Sequence, residues 1–334
     1  MHKLKVIFVI FVFTSFTMEL VVFRGITLTS ITTRFRSKVT SSHTKQVSRT
    51  EAANIAADDQ EIWREQKYRL NQIQSVCNRL NITRLSNPPK TYTERMLVDD
   101  TNGILFAYIP KVSCSTWKSV FRKSRDSHRE NRVNYSVLSQ YNDTERVKRL
   151  DQYKKVLFVR NPFTRLLSAF LSKFRSRGNL QKSWEIVYGF PIIKRYRPPE
   201  LFKKLEVLPR SSLPQMNITL TEFIRYIHDR GDEIQLTETS DHWLPQHIVS
   251  HVCEMEFDFI GKYENLAVEA PFVLKWSGMS PVATFPEVHA SNALSVIRRE
   301  FGEVPILHLK SLIQYYSLDF ELFGYNPYEI LHGE

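Results

Sequence analysis

Residues 104–121 read ILFAYIPKVSCSTWKSVF, and the rest of the chain has to be arranged around them. The stretch opens on a short apolar run of strand formers, residues 104–109, which is stopped by Pro110. Lys111, Ser113, Cys114, Ser115 and Thr116 then crowd together, and Trp117, Val120 and Phe121 follow at helical spacing. The pattern predicts a buried strand, a tight polar loop and a helix. Such a loop offers free backbone N–H groups at a helix N-terminus, beside hydroxyls and a lysine. That combination suits a phosphate or similar anion. It is not the GxxxxGK[ST] loop of nucleoside triphosphate enzymes, because the turn holds no glycine. A plain strand–turn–helix with a hydroxyl cap and a solvated lysine would use the same residue types, so this stretch alone does not decide.

A second stretch repeats the design. Residues 155–160, KVLFVR, predict a strand ending in a base. Asn161 is placed to cap the helix that follows and Pro162 to take its first position. Phe163, Leu166, Leu167, Phe170 and Phe174 recur at helical spacing, with Arg160, Arg165 and Ser168 near the start. Two strand–loop–helix units of this kind suit one ligand with two separated phosphates.

The segment PKVSCSTWK resembles the 5′-phosphosulfate loop of the Golgi carbohydrate sulfotransferases, and VRNPFTRLLSAFLSKF resembles their 3′-phosphate loop. The similarity spans residues 77–325 and is to the branch holding the chondroitin and dermatan 4-O-sulfotransferases. It implies an α/β chain with a P-loop-like sulfotransferase fold, a central parallel sheet and helices on both faces. It also implies 3′-phosphoadenosine 5′-phosphosulfate as donor and no metal. Pro110, Lys111, Val112, Ser113, Cys114, Ser115, Thr116 and Trp117 would hold the phosphosulfate, with Lys111 acting in catalysis. Arg160, Asn161, Pro162, Phe163, Thr164, Arg165, Leu166, Leu167 and Ser168 would hold the 3′-phosphate. Asn161 stands where the family usually has Asp, and it keeps the capping role. The reaction needs a base near the sulfate. His242, in the family-like segment DHWLPQ, is the candidate; Glu264 is its rival, and a structural role for His242 is the alternative.

The chain carries 46 Lys and Arg against 35 Asp and Glu, a net charge of +11. That excess points to a polyanionic partner. Zinc-finger spacing and RNP-type motifs are absent, so nucleic acid is not supported. Three cysteines and ten histidines show no metal-ligand spacing. Residues 175–214, with Arg195, Arg197, Lys203, Lys204 and Arg210, read either as a solvated loop or as a basic wall touching an acidic polysaccharide. The expected acceptor is a chondroitin-type glycosaminoglycan, at the 4-O position of N-acetylgalactosamine. The alternatives are a different glycan and a lumenal glycan-binding protein without transfer. A kinase or NTPase is disfavoured by the missing triphosphate loop.

Residues 4–23 are apolar over about the length needed to cross a bilayer, roughly 20 residues. Residues 1–23 are therefore expected to be an uncleaved signal anchor in the Golgi membrane, residues 24–60 a stem, and residues 61–334 the lumenal catalytic domain. Flanking charges disagree with this: Arg24, Arg34, Arg36 and Lys38 outnumber Lys3 and Lys5. Sequons at Asn81, Asn134, Asn142 and Asn217 favour lumenal exposure and type II topology. Cys77, Cys114 and Cys253 are odd in number, which leaves one unpaired or pairing between chains; a Cys77–Cys253 bridge is one possibility. Further helices are expected over 58–80, 143–150, 220–229, from 266, and over 306–316, with a strand over 257–262.

Overall fold

In the computed structural model the described residues are 49–126, 135–176, 179–230, 240–280, 284–286 and 293–329. The expected anchor and the sequon at Asn134 lie outside them, as do residues 24–48 of the stem. Among the described residues no helix is long and apolar enough to cross a membrane.

A five-stranded sheet forms the centre, in the order β3-β1-β2-β4-β5. Its strands are β1 (Met96–Asp99), β2 (Ile104–Ala107), β3 (Ser136–Val137), β4 (Lys154–Val159) and β5 (Phe259–Lys262). The sheet is mixed rather than wholly parallel. β2, β4 and β5 run parallel, whereas β1 pairs antiparallel with both β2 and β3. The reason is local. A tight turn at Asp99–Gly103 links β1 to β2, and such a turn can only reverse the chain. Asp99 builds that turn by accepting from the amides of Thr101 and Asn102. The two crossover connections that make β2, β4 and β5 parallel run through helices, as parallel strands require.

β2 and β4 are buried almost throughout, which fits their continuous apolar runs. Phe158 of β4 sits between Phe106 and Phe259, with ring centroids 6.1 and 6.0 Å away. Gly261 is demanded by this packing: a Cβ there would meet the Phe158 ring at 2.2 Å. The edge strand β5 is covered by α1 (Arg49–Arg79). Gln66 Oε1 accepts from the Ile260 N–H at 2.8 Å, and Arg69 Nη1 donates to the Ile260 carbonyl at 2.8 Å. Both backbone groups of an otherwise open edge are thus satisfied. α1 begins inside the stretch expected as stem, so a boundary at residue 60 falls within a helix. Its far end is fixed by a disulfide between Cys77 and Cys253, which leaves Cys114 as the free thiol.

The other helices are α2 (Cys114–Asp126), α3 (Asp143–Gln152), α4 (Pro162–Phe170), α5 (Asn179–Trp184), α6 (Phe190–Tyr196), α7 (Pro199–Glu206), α8 (Leu220–Asp229), α9 (Gln246–Ser250), α10 (Leu266–Ser277), α11 (Ala293–Gly302), α12 (Ile306–Tyr315) and α13 (Ser317–Phe323). One core surrounds the sheet. A second lies among the helices and joins Phe163 and Phe170 of α4 to Phe223 of α8, Leu312 of α12 and Phe320 of α13. Residues 175–214 are largely helical, not loop.

Candidate active site

β2 and β4 are parallel neighbours, in register from Ile104↔Lys154 to Ala107↔Leu157. Their C-terminal ends therefore open side by side, where open α/β sheets bind ligands. The loop after β2 turns sharply without glycine. Lys111 and Ser113 both take left-handed backbone, with φ of 71° and 52°. For non-glycine residues this costs roughly 1–2 kcal/mol each. The neighbours hold the strain in place. Val112 is buried, Pro110 O accepts from Arg165 Nε at 3.0 Å, and Lys111 O accepts from Arg160 Nη1 at 3.1 Å. The amides of Cys114, Ser115 and Thr116 precede the first intrahelical bond, which Trp117 N makes to Ser113 O. Ser115 is exposed, and Ser113 and Thr116 are half-buried. Pro110, Val112 and Trp117 are buried supports of this loop; Trp117 stacks on Phe106 at 4.4 Å.

The second loop has another construction. Asn161 Oδ1 accepts from the amides of Phe163 and Thr164 at 3.0 and 3.4 Å, and Arg165 N bonds Asn161 O. With Pro162 lacking an N–H, the start of α4 has no amide left for an anion. What this unit offers is side chains. Arg160 Nε donates to Thr164 Oγ1 at 3.0 Å, and its guanidinium lies 4.0 Å over the Tyr263 ring. Ser168 is half-buried one turn on. Phe163, Leu166 and Leu167 are core residues. Arg165, expected beside a phosphate, is fully buried. It donates to the carbonyls of Pro110, Leu244 (2.6 Å) and Asp241. It is a strut between the first loop and the 241–244 segment.

Gln246 clamps the end of β4, accepting from Arg160 N at 2.9 Å and donating to Arg160 O at 2.7 Å. Gln246 N in turn donates to Asp319, which is buried at the start of α13. The C-terminal LDFELF segment thus braces the site through its aspartate, while Phe320 and Phe323 pack in the core.

Lys111 Nζ donates to Ser172 Oγ at 2.9 Å. Burial, then the neighbouring Lys173, pull its pKa down to about 8; Arg160 and Arg165 add to this and Cys114 opposes it. Burial also lowers the pKa of Lys173 and of Arg160. Among the described residues, Lys111, Arg160 and Lys173 have no carboxylate within ion-pair distance. Glu264 acts on Arg160 and Asp241 on Lys173 from beyond ion-pair distance, but burial outweighs them, and a bound polyanion relieves the cost of holding these cations out of water. Ser172 and Lys173 lie in a π-helical turn, Leu171–Arg175, that extends α4. Such turns recur at functional sites. The binding set expected from sequence stopped at Ser168 and missed both; no residue-level signal marks a π turn in the sequence.

His242 ends a short turn, Ser240–His242, and its Nδ1 lies 2.9 Å from Asp241 Oδ1. Asp241 is buried, and its other oxygen accepts from Arg95 Nε at 3.0 Å. The imidazole lies beside this carboxylate and meets Trp184 edge-on, with ring centroids 5.4 Å apart. The rival Glu264 is committed elsewhere: Oε1 accepts from Asn161 N at 2.9 Å and Oε2 from Tyr325 Oη at 2.8 Å. It belongs to the Arg160 side of the site.

Two of the five residues of the expected basic wall are held in ion pairs. Arg197 is bidentate to Glu222 at 2.6 and 2.8 Å, and Arg195 pairs with Asp229 at 3.2 Å. Lys203, Lys204 and Arg210 remain exposed. Cavities of about 440 and 250 Å³ lie beside the disulfide and beside His247 and His251, and neither is lined by a residue of the cation cluster.

The sequence model described as the Sulfotransferase family matches residues 94–326, a stretch that holds both loops and the 241–246 segment. The chain belongs to this family. Carbohydrate sulfotransferase 14 of Danio rerio is 33 % identical over 296 residues, covering 83 % of this chain and 76 % of that protein. Carbohydrate sulfotransferase 11 of Rattus norvegicus is 28 % identical over 249 residues, 70 % of this chain and 67 % of the relative. Carbohydrate sulfotransferase 12 of Xenopus laevis is 29 % identical over 267 residues, 71 % and 61 %. No solved structure matches the chain significantly. The chain is a carbohydrate sulfotransferase.

Proposed function

We propose that this carbohydrate sulfotransferase moves sulfate from 3′-phosphoadenosine 5′-phosphosulfate to the 4-hydroxyl of N-acetylgalactosamine in a chondroitin-type polymer. The observation that carries the donor half is the meeting of Lys111 and Arg160 at the ends of two parallel strands, neither in an ion pair among the described residues. A donor with phosphosulfate at one end and a 3′-phosphate at the other spans the two loops. The Lys111 loop takes the phosphosulfate, with the amides of residues 114–116, and Arg160 takes the 3′-phosphate. The fit needs no metal ligand.

In the transfer, the acceptor hydroxyl oxygen attacks sulfur as the bond from sulfur to the bridging oxygen breaks. The bonding pair leaves with that oxygen, giving 3′-phosphoadenosine 5′-phosphate, and Lys111 neutralises the charge that develops there. The hydroxyl proton passes to His242, whose imidazolium the neighbouring Asp241 carboxylate would stabilise. The acceptor half rests on the resemblance to the 4-O-sulfotransferase branch and on the net charge of +11. The same reading places the enzyme in the Golgi membrane with its catalytic domain in the lumen. Exposure of Asn81, Asn142 and Asn217 supports this.

Labelled donor offered with desulfated chondroitin, dermatan, heparan and neutral N-glycans tests the assignment. Chondroitin should be labelled, and disaccharide analysis should put the sulfate at the 4-position. A chain that sulfates a neutral glycan and leaves chondroitin untouched has a different acceptor. Glycosidase treatment of protein from a secretory host should shift its mobility; an unshifted chain, protease-accessible from the cytosol, reverses the topology.

A further inference from the structure

Of the basic residues that sequence pointed to for acceptor binding, Arg195 and Arg197 are paired in place, and Lys203, Lys204 and Arg210 are exposed. A contact that reads charge on the sugar next to the reacting hydroxyl has to lie at the catalytic site itself. Lys173 has the properties required. It is half-buried at the π-helical turn, with Nζ 4.0 Å over the Trp184 ring. An ammonium resting on an aromatic face is held but not neutralised. The position is informative. The chain neighbour of Lys173, Ser172, accepts from Lys111 Nζ at 2.9 Å, and Lys173 itself feels the charges of Lys111 and Asp241. Trp184, beneath it, meets the His242 ring edge-on at 5.4 Å. Lys173 therefore stands between the lysine assigned to the phosphosulfate and the histidine assigned as base. The acceptor hydroxyl has to occupy that same gap, so a charged group on the adjoining sugar comes within reach of Lys173. Arg160, the remaining cation of the cluster, is turned to the other loop by its bonds to Thr164 and Lys111 O.

We infer that Lys173, propped on Trp184, is the acceptor-specificity contact, and that it pairs with the carboxylate of the uronic acid next to the sugar being sulfated. This rests on the acceptor reading above. It moves acceptor recognition from the surface around Arg195 and Arg197 to the mouth of the catalytic site.

The test uses the full chain, detergent-solubilised from a secretory host, with chondroitin and carboxyl-reduced chondroitin as acceptors. Lys173→Met keeps an apolar stem over Trp184 and removes the charge; Lys173→Arg restores a cation. Lys173→Met should raise KM for chondroitin about tenfold, the worth of one charged contact. Its affinity for 3′-phosphoadenosine 5′-phosphate and its KM for the reduced polymer should stay near wild type, so that the preference for chondroitin over the reduced polymer is what falls. Lys173→Arg should recover most of the loss. An equal loss on both polymers, a loss of donor-product affinity, or no change at all overturns the inference. If the wild type sulfates neither polymer while binding the nucleotide, the uronate acceptor itself is refuted and the inference falls with it; if the wild type discriminates and Lys173→Met does so equally, only the inference fails.

Discussion

The loop after β2 and the loop after β4 share one plan and meet opposite fates. Both follow a buried parallel strand, both lead into an amphipathic helix, and both bring a base to the strand end. The first keeps the leading amides of its helix uncapped and holds Lys111 and Ser113 in left-handed backbone. The second spends its amides on Asn161, keeps ordinary backbone, and reaches out with Arg160. The difference follows from what each end must do. Backbone amides close to the reacting sulfate are fixed before the reaction and need no reorganisation as charge shifts. Recognition of a distant phosphate needs charge and reach, which a guanidinium supplies. Strain is concentrated where chemistry is assigned, and local stability where only binding is.

That contrast can be broken most severely at Lys111. Lys111→Ala should cut the transfer rate about a hundred- to thousandfold, as loss of one transition-state contact does, with the fold intact by circular dichroism. A folded variant keeping more than about a tenth of the wild-type rate would take Lys111 out of the chemistry.

A smaller effect comes from pH. Burial and Lys173 put the Lys111 ammonium near a pKa of about 8. A bound anion favours the charged form and raises that pKa. Affinity for 3′-phosphoadenosine 5′-phosphate should therefore be full below about pH 7 and fall as pH rises through 8, by up to about tenfold per unit. Calorimetry across this range checks it. Lys111→Arg should flatten the profile, because a guanidinium stays charged throughout. A wild-type profile level to pH 9 would mean that the lysine is not perturbed.

The smallest expected change is at the second loop. Asn161→Ala removes a helix cap worth about 1 kcal/mol and should lower the melting temperature by a few degrees. It also frees the amides of Phe163 and Thr164, so nucleotide affinity should hold or improve slightly. A large affinity loss would show that Asn161 touches the ligand directly.

How much of this was legible in the sequence varies with the type of signal. The strands β2, β4 and β5 and the helices α8 and α12 were legible, because unbroken apolar runs and helical periodicity survive any tertiary context. β1 was not: MLVD is four residues with no alternation, and it completes the antiparallel half of the sheet. The helices within residues 179–206 were hidden because their short, basic segments are interrupted by prolines, which ordinarily mark turns. Pro191 and Pro199 stand in first turns, where proline suits a helix. In the site, Arg160 reaches the Lys111 carbonyl, and His242 lies between Asp241 and Trp184. Arg165 did not join them, since a sequence cannot show that a guanidinium turns inward to three carbonyls. Ser172 and Lys173 went unnoticed because a π turn shifts which residues face the site.

The central claim is the division of labour between the two loops, and nucleotide binding across a mutant cycle tests it most directly. The affinities of adenosine 3′,5′-bisphosphate and adenosine 5′-monophosphate would be measured for wild type, Lys111→Ala, Arg160→Ala and the double variant. Lys111→Ala should weaken both nucleotides by the same factor and leave the preference for the bisphosphate standing. Arg160→Ala should erase that preference while leaving the monophosphate nearly unchanged. An Arg160→Ala enzyme that still prefers the 3′-phosphate, or a Lys111→Ala enzyme that loses the preference, would contradict the assignment of one phosphate to each loop.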